Sequence, residues 1–202
     1  IPKELETPHE IVQIIKEHGE LKDMFDTMGR AERGFKIHKI EPRKDEKSDT
    51  EAVAVWVASD WHIEEGVNPD WVNGLNNHTL EISASRSEQY FINCLRLTNM
   101  FARDVKINRI VLALLGDFIT NDIHEENREI NLLTPMEAIL RAQEYIASGI
   151  QFILKNSKYD LTIVCASGNH GRTTDENYYS TEQGHSLEQF MYKTMEIQFK
   201  NE

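Results

Sequence analysis

An α/β fold built on a parallel sheet is predicted by three observations. Continuous apolar, β-branched runs occur at 52–58, 110–115 and 161–166; long helical patterns separate them; and a polar, glycine-bearing or acidic segment follows each run directly. Strand, helix, strand, helix, strand is the order of successive βαβ units.

The first run, Ala52 to Ala58, lacks the alternation of a half-exposed strand, so burial on both faces is expected. The runs Ile110 to Leu115 and Leu161 to Ala166 read the same way. Between the first two, Phe91, Cys94, Leu95, Thr98, Phe101 and Val105 recur at helical spacing within 85–105. Between the second and third, Thr134, Pro135 and Glu137 form a capping box with proline at the first helical position. Met136, Ile139, Ile146, Ile150 and Ile153 then mark a core-facing stripe rather than a cofactor box.

Residues 1–50 read as a helical appendage and charged connector, and 51–202 as the main domain. Thr7, Pro8 and Glu10 cap a short helix that Gly19 stops, and a second helix runs from Glu20 to Met28. The pair carries acids and bases in balance, so a packed helical hairpin is expected before a DNA-reading helix-turn-helix. Residues 30–50 mix charges of both signs around Pro42, the composition of a solvated connector.

A chain of 202 residues with 40% hydrophobic content can bury one good core. Its formal charge of −12 removes any long-range attraction to phosphate backbones, so a nucleic-acid substrate would need a local device such as bound cations. Cys94 and Cys165 lie in apolar runs and are expected to be buried, reduced thiols, which suits the cytoplasm. The longest apolar run is far short of the ~20 residues a membrane span needs, and no signal-peptide pattern is present. A soluble cytoplasmic protein without a membrane partner is expected; the oligomeric state does not follow.

Functional groups in open α/β sheets gather beyond the carboxyl ends of the strands. The first strand runs into Ser59-Asp60-Trp61-His62, where alternate residues of an extended segment point the same way and can chelate one cation. The second ends in Gly116-Asp117, a tight turn that frees a carboxylate. The third ends in Gly168-Asn169-His170-Gly171-Arg172, an amide, an imidazole and a guanidinium between glycines that admit a ligand closely. Each motif alone is common, and their conjunction in order, each after a strand, is what specifies a site.

This succession resembles the calcineurin-like metallophosphoesterase superfamily, from about Glu51 to the end of the chain. The resemblance implies two divalent ions, with Asp60 and His62 on the first, Asp117 bridging both, Asn169 on the second, and His170 contacting the scissile phosphate or protonating the leaving oxygen. The mixed oxygen and nitrogen donors suit Mn²⁺ best, with Fe, Zn²⁺ or Mg²⁺ as alternatives. The expected function is hydrolysis of a phosphate ester by two-metal-activated hydroxide, as a phosphodiesterase or nuclease first. A phosphomonoesterase on a small metabolite, or a non-catalytic scaffold, are the alternatives. Uncatalysed phosphate-ester hydrolysis can demand accelerations approaching ~10²¹, whereas a positioned general acid supplies about 10²–10⁴, so metals must carry most of the burden.

The superfamily completes its site with further downstream histidines, the last in Gly-His-x-His, but only His185 follows His170 here. His185 precedes Ser186 and Gln189, a capping pair by residue type, so it reads as a helix start. The expectation is therefore a truncated half of a four-layer fold, incomplete at its C-terminus, with a weakly held second cation. Thr120 stands where many members carry aspartate, and Gly171-Arg172 replaces the glutamate of protein phosphatases, which argues against a phosphoprotein phosphatase. The Gly-Asn-His-Gly-Arg form, with Asn121, His124, Glu125 and Glu126, is more similar to predicted phosphoesterases of phages and mobile elements.

Arg172 and His124 are the substrate-contact candidates, Arg172 because a guanidinium matches phosphate geometry. The Asn- and Gly-rich stretch 63–85 is placed to roof the metals, with Trp71 either anchoring it or stacking a base. Neither Gly-x-Gly-x-x-Gly nor a P-loop is present, so a plain nucleotide-binding domain is disfavoured.

Overall fold

The computed structural model describes residues 51–178 and 184–200; the helices and connector expected at 1–50 lie outside them. Strand β1 (Glu51–Ala58) leads through a loop with a short 3-10 turn (Pro69–Val72) to helix α1 (Leu80–Phe101). Strand β2 (Lys106–Leu114), a short helix α2 (Glu125–Ile130), helix α3 (Pro135–Asn156), strand β3 (Asp160–Cys165) and helix α4 (Leu187–Phe199) follow.

Each long helix begins at a hydroxyl that satisfies an orphan backbone N–H. Thr79 accepts from Ile82 N, which starts α1 at Leu80, ahead of the expected residue 85. Thr134 and Glu137 form the anticipated reciprocal box, and Ser186 accepts from Gln189 N. β2 also begins early, because Lys106 pairs with Glu51 in the ladder despite its polarity.

The three strands form one parallel sheet in the order β1-β2-β3. Trp56 sits beside Leu112, and Leu112 beside Ile163, so one row of apolar side chains crosses the sheet on one face. That face carries the core: Trp56, Ala58, Ile110, Leu112 and Leu114 pack with Phe91 and Leu95 of α1 and with Ile146, Ile150 and Ile153 of α3. Met191, Tyr192 and Met195 add α4 to the same cluster. Full burial of each such side chain contributes about 1.5–3 kcal/mol. The indole of Trp56 reaches Thr98 Oγ1 at 3.0 Å, which settles the one polar atom it brings into the core.

The other face departs from expectation. Val55 is 61% exposed and Val164 44% exposed, with Val53 and Val57 exposed beside them. The two crossover helices α1 and α3 contact each other over the buried face, and no described element covers the opposite one. Burial of β1 on both faces is thus corrected to burial on one. The same geometry leaves Cys165 exposed and Cys94 half-buried, against the expectation of two buried thiols. Among the described residues no helix is long and apolar enough to cross a membrane.

Candidate functional site

The three strand ends converge because the backbone keeps pairing past the strands. Leu115 N donates to Ala58 O and Ala166 N to Leu114 O, both at 2.8 Å. The loop after β1 then runs along the loop after β2, with Asp60 N on Gly116 O, His62 N on Asp117 O and Ile63 N on Phe118 O. A Cβ on Gly116 would stand 1.9 Å from Gly168 N, and one on Gly168 would stand 2.1 Å from Asp117 Oδ1. Only glycine lets these two chain segments and the Asp117 carboxylate share the space.

Backbone strain is concentrated at this rim. Asp60 (φ 56°), His62 (43°), Asp117 (54°) and Asn121 (59°) all lie in the left-handed region; elsewhere among the described non-glycine residues only Asn73 does, closing the 3-10 turn. Left-handed backbone costs about 1–2 kcal/mol per residue and persists only where the surroundings over-determine it.

Two buried glutamates supply that determination. Glu188 of α4 accepts from Phe118 N through Oε1 and from Gly168 N through Oε2, both at 2.8 Å, and so ties the loop after β2 to the loop after β3. Glu64 accepts from Thr120 N at 2.7 Å and Asn121 N at 2.8 Å. Asn121 donates its amide to the carbonyls of His170 and Arg172. Burial pushes the Glu188 carboxyl up to about 7, with the two backbone donors pulling the other way. Burial also raises Glu64.

Thr120 orients both imidazoles. His170 Nδ1 lies 2.8 Å from the Thr120 carbonyl, which can only accept, so Nδ1 carries the proton and Nε2 is bare in the neutral ring. Thr120 Oγ1 donates toward Glu65 Oε2 at 3.4 Å and faces His62 Nδ1 at 3.0 Å, which assigns the same tautomer to His62. The two rings meet edge to face with centroids 4.7 Å apart, and His124 stands 6.3 Å from His170. Burial, then the neighbouring His170, hold His62 below the usual imidazole range, while Glu65, Asp117 and Asp60 oppose this. A neutral imidazole with its Nδ1 tied down is the form that ligates metals.

The donor set is two carboxylates, two imidazoles and an amide. Asp117 accepts from His170 N through Oδ1, and Asp60 accepts from the Ser59 hydroxyl through Oδ2, leaving each carboxylate a second oxygen. Asn169 sits between two pinned peptide groups, Gly168 N on Glu188 and His170 N on Asp117, and is exposed. Among the described residues, no three His, Cys, Asp or Glu side chains converge tightly enough to cage an ion as they stand. The chemistry of the set, oxygen and imidazole nitrogen with fixed outer partners, fits a divalent first-row ion.

Arg172 requires correction as a substrate contact. Only 9% exposed, it donates to the carbonyls of Asn169, Thr174 and Asp175, so it clamps its own loop. His124 is exposed beside His170 and makes no cap bond to α2, which leaves it available. His185 is exposed and serves through its carbonyl, which accepts from Thr173 N. Trp71 is 67% exposed, so it anchors nothing in the loop. Glu64 and Glu188 escaped the sequence reading, and Thr120 and Asn121 figure there only as motif positions, without these hydrogen bonds. Glu188 looks like an ordinary first-turn acid of a helix and Glu64 like a solvated turn residue; only the rarity of acids beside such short apolar segments hints otherwise.

No protein-family model, curated protein or solved structure matches the chain.

Proposed function

We propose that this rim binds two divalent cations, Mn²⁺ foremost, and hydrolyses phosphate esters, as part of a calcineurin-like metallophosphoesterase domain. One observation carries the reading. Asp60, His62 and Asp117, residues expected to be ligands on sequence grounds alone, share a single strained rim where outer hydrogen bonds leave the metal-binding atom of each unpaired.

In this reading Asp60 and His62 would hold the first cation, Asn169 the second, and Asp117 would serve both. The bound cations would lower the pKa of water and neutralise charge on the phosphoryl oxygens. The protein's own part is to fix the donors and to move protons. Glu188 and Glu64 hold the loops that bear the ligands, and Thr120 fixes both imidazoles. His170, its Nε2 bare in the neutral ring, would take up there the proton shed by the attacking water and pass it to the leaving oxygen, with His124 beside it. The apolar face that no described element covers supports the further reading of a layered metallophosphoesterase-type fold, since parallel sheets are ordinarily covered on both faces.

The phosphodiesterase reading is tested with bis(4-nitrophenyl) phosphate and Mn²⁺. Asp117→Asn is expected to lower turnover about a thousandfold, the several kcal/mol a Lewis-acid cation contributes. Equal turnover by the two proteins would sink the proposal.

A further inference from the structure

Beside the strand-end rim, a cleft of about 270 Å³ opens between the loop after β1 and the first half of α1. Its walls are Asp60, Trp61, His78, Arg86, Tyr90 and the serines of α1. Asp60 is the link to the proposed metal centre; the other side chains take no part in it.

The chemistry of the lining is specific. Arg86 is exposed and makes no ion pair or hydrogen bond among the described residues, although the protein carries an excess of acids that could have neutralised it. His78 donates Nδ1–H to the Glu65 carbonyl at 2.8 Å, which fixes the ring and leaves Nε2 unpaired. Trp61 is held rigidly, edge to face with Tyr90 at 5.6 Å, Phe91 at 6.2 Å and Phe118 at 5.1 Å. Ser83 and Ser87 line the floor, and the Ser87 hydroxyl is already committed to the Ser83 carbonyl. An aromatic wall, a free guanidinium and a fixed imidazole together match a flat ring linked to an anion. Ligand pockets usually span about 300–1,000 Å³, so this one takes one arm of a substrate.

We propose that the cleft is a subsite for the organic arm of the phosphodiester, taking a nucleotide whose ring lies against Trp61 with a ring N–H toward the His78 Nε2 acceptor, and whose second phosphate meets Arg86. This rests on the phosphoesterase reading and narrows its substrate to nucleotide diesters. Such an arm would place its reacting phosphate at Asp60, where the cleft meets the rim. The guanidinium would also supply locally the attraction that a net charge of −12 denies over long range.

The test is calorimetric titration in Mn²⁺ with thymidine 5′-monophosphate and thymidine 3′,5′-bisphosphate. The native protein is expected to bind the bisphosphate about tenfold more tightly, and Arg86→Ala to erase that preference while Lys158→Ala, at the far end of the sheet, keeps it. Equal affinity of the native protein for both ligands, or a preference that survives Arg86→Ala, overturns the subsite. The readout does not depend on turnover. An Arg86-dependent preference without hydrolysis of bis(4-nitrophenyl) phosphate would reject the enzyme reading and keep the subsite; hydrolysis without that preference would do the reverse.

Discussion

The two ends of the sheet differ in a way that cavity size does not reveal. The amino end holds the larger hollow, about 820 Å³, lined by Asn99, Asn108, Lys155, Lys158 and Tyr159 among others. Its polar contacts are those of a surface: Tyr159 donates to Asn99 at 2.7 Å, and Lys106 pairs with Glu51 where both are more than half exposed. None of the described non-glycine residues with positive φ lies there. The carboxyl end has less room, yet it carries the strained candidate ligands, the buried carboxylates and the glycines in contact. Space alone is cheap for a protein to leave; strained backbone held by buried acids costs stability and persists where something depends on it.

The sharpest way to break this contrast is to crowd the strained end. Gly168→Ala would push a methyl group to 2.1 Å from Asp117 Oδ1 and 2.5 Å from Asp117 N, so backbone must move. Overpacking of this kind costs about 1–3 kcal/mol, and a ligand displaced by an ångström costs about a hundredfold in rate. Urea unfolding and diester turnover are both expected to fall. Unchanged turnover would show that the Asp117 position does not matter.

Thr120→Val probes orientation more gently. It removes the hydroxyl that faces His62 Nδ1 but spares the carbonyl on which His170 rests. Outer-partner losses of this type cost about 10–100-fold in metal affinity or activity. Thr120→Ser should recover most of it, and Mn²⁺ titration of the three proteins separates a ligand effect from a folding one. Equal Mn²⁺ affinity in all three would remove Thr120 from the site.

Much of the fold was legible in the sequence because its signals are local. Thr134, Pro135 and Glu137 capped α3 as their order demands, and the three apolar runs became three parallel strands. The motif residues Asp60, Asp117 and His170 could be placed together because each follows a strand, and parallel strands put their carboxyl ends on one edge. What stayed hidden depends on residues distant in sequence. Glu188 joins Phe118 to Gly168 across separations that no periodicity records, and Arg172, whose type suits phosphate, turned inward to carbonyls of its own loop. The open face was hidden for another reason: an apolar run says that a surface avoids water but not which layer covers it, and both crossover helices went to one side.

Glu188→Gln has the smallest expected effect and separates the two ends by their response to pH. In the folded chain the carboxyl holds its proton to about pH 7, whereas 4.5 is its ordinary value. Between those values the native state binds more protons than the unfolded chain, so unfolding free energy falls as pH rises through the window, by no more than about 3 kcal/mol. The stability is fully present below pH 4.5 and lost above about pH 7. Glutamine carries no titrating proton and places an N–H₂ donor where the carboxyl, protonated or not, keeps a second oxygen, so one of Phe118 N and Gly168 N loses its partner. The variant should be less stable by about 1–3 kcal/mol at acid pH. Its decline between pH 4.5 and 7 should be shallower than that of the native protein. Urea unfolding across that range is the measurement, and parallel curves for the two proteins would mean that the acid tying the loops together does not carry the pH dependence of the strained end.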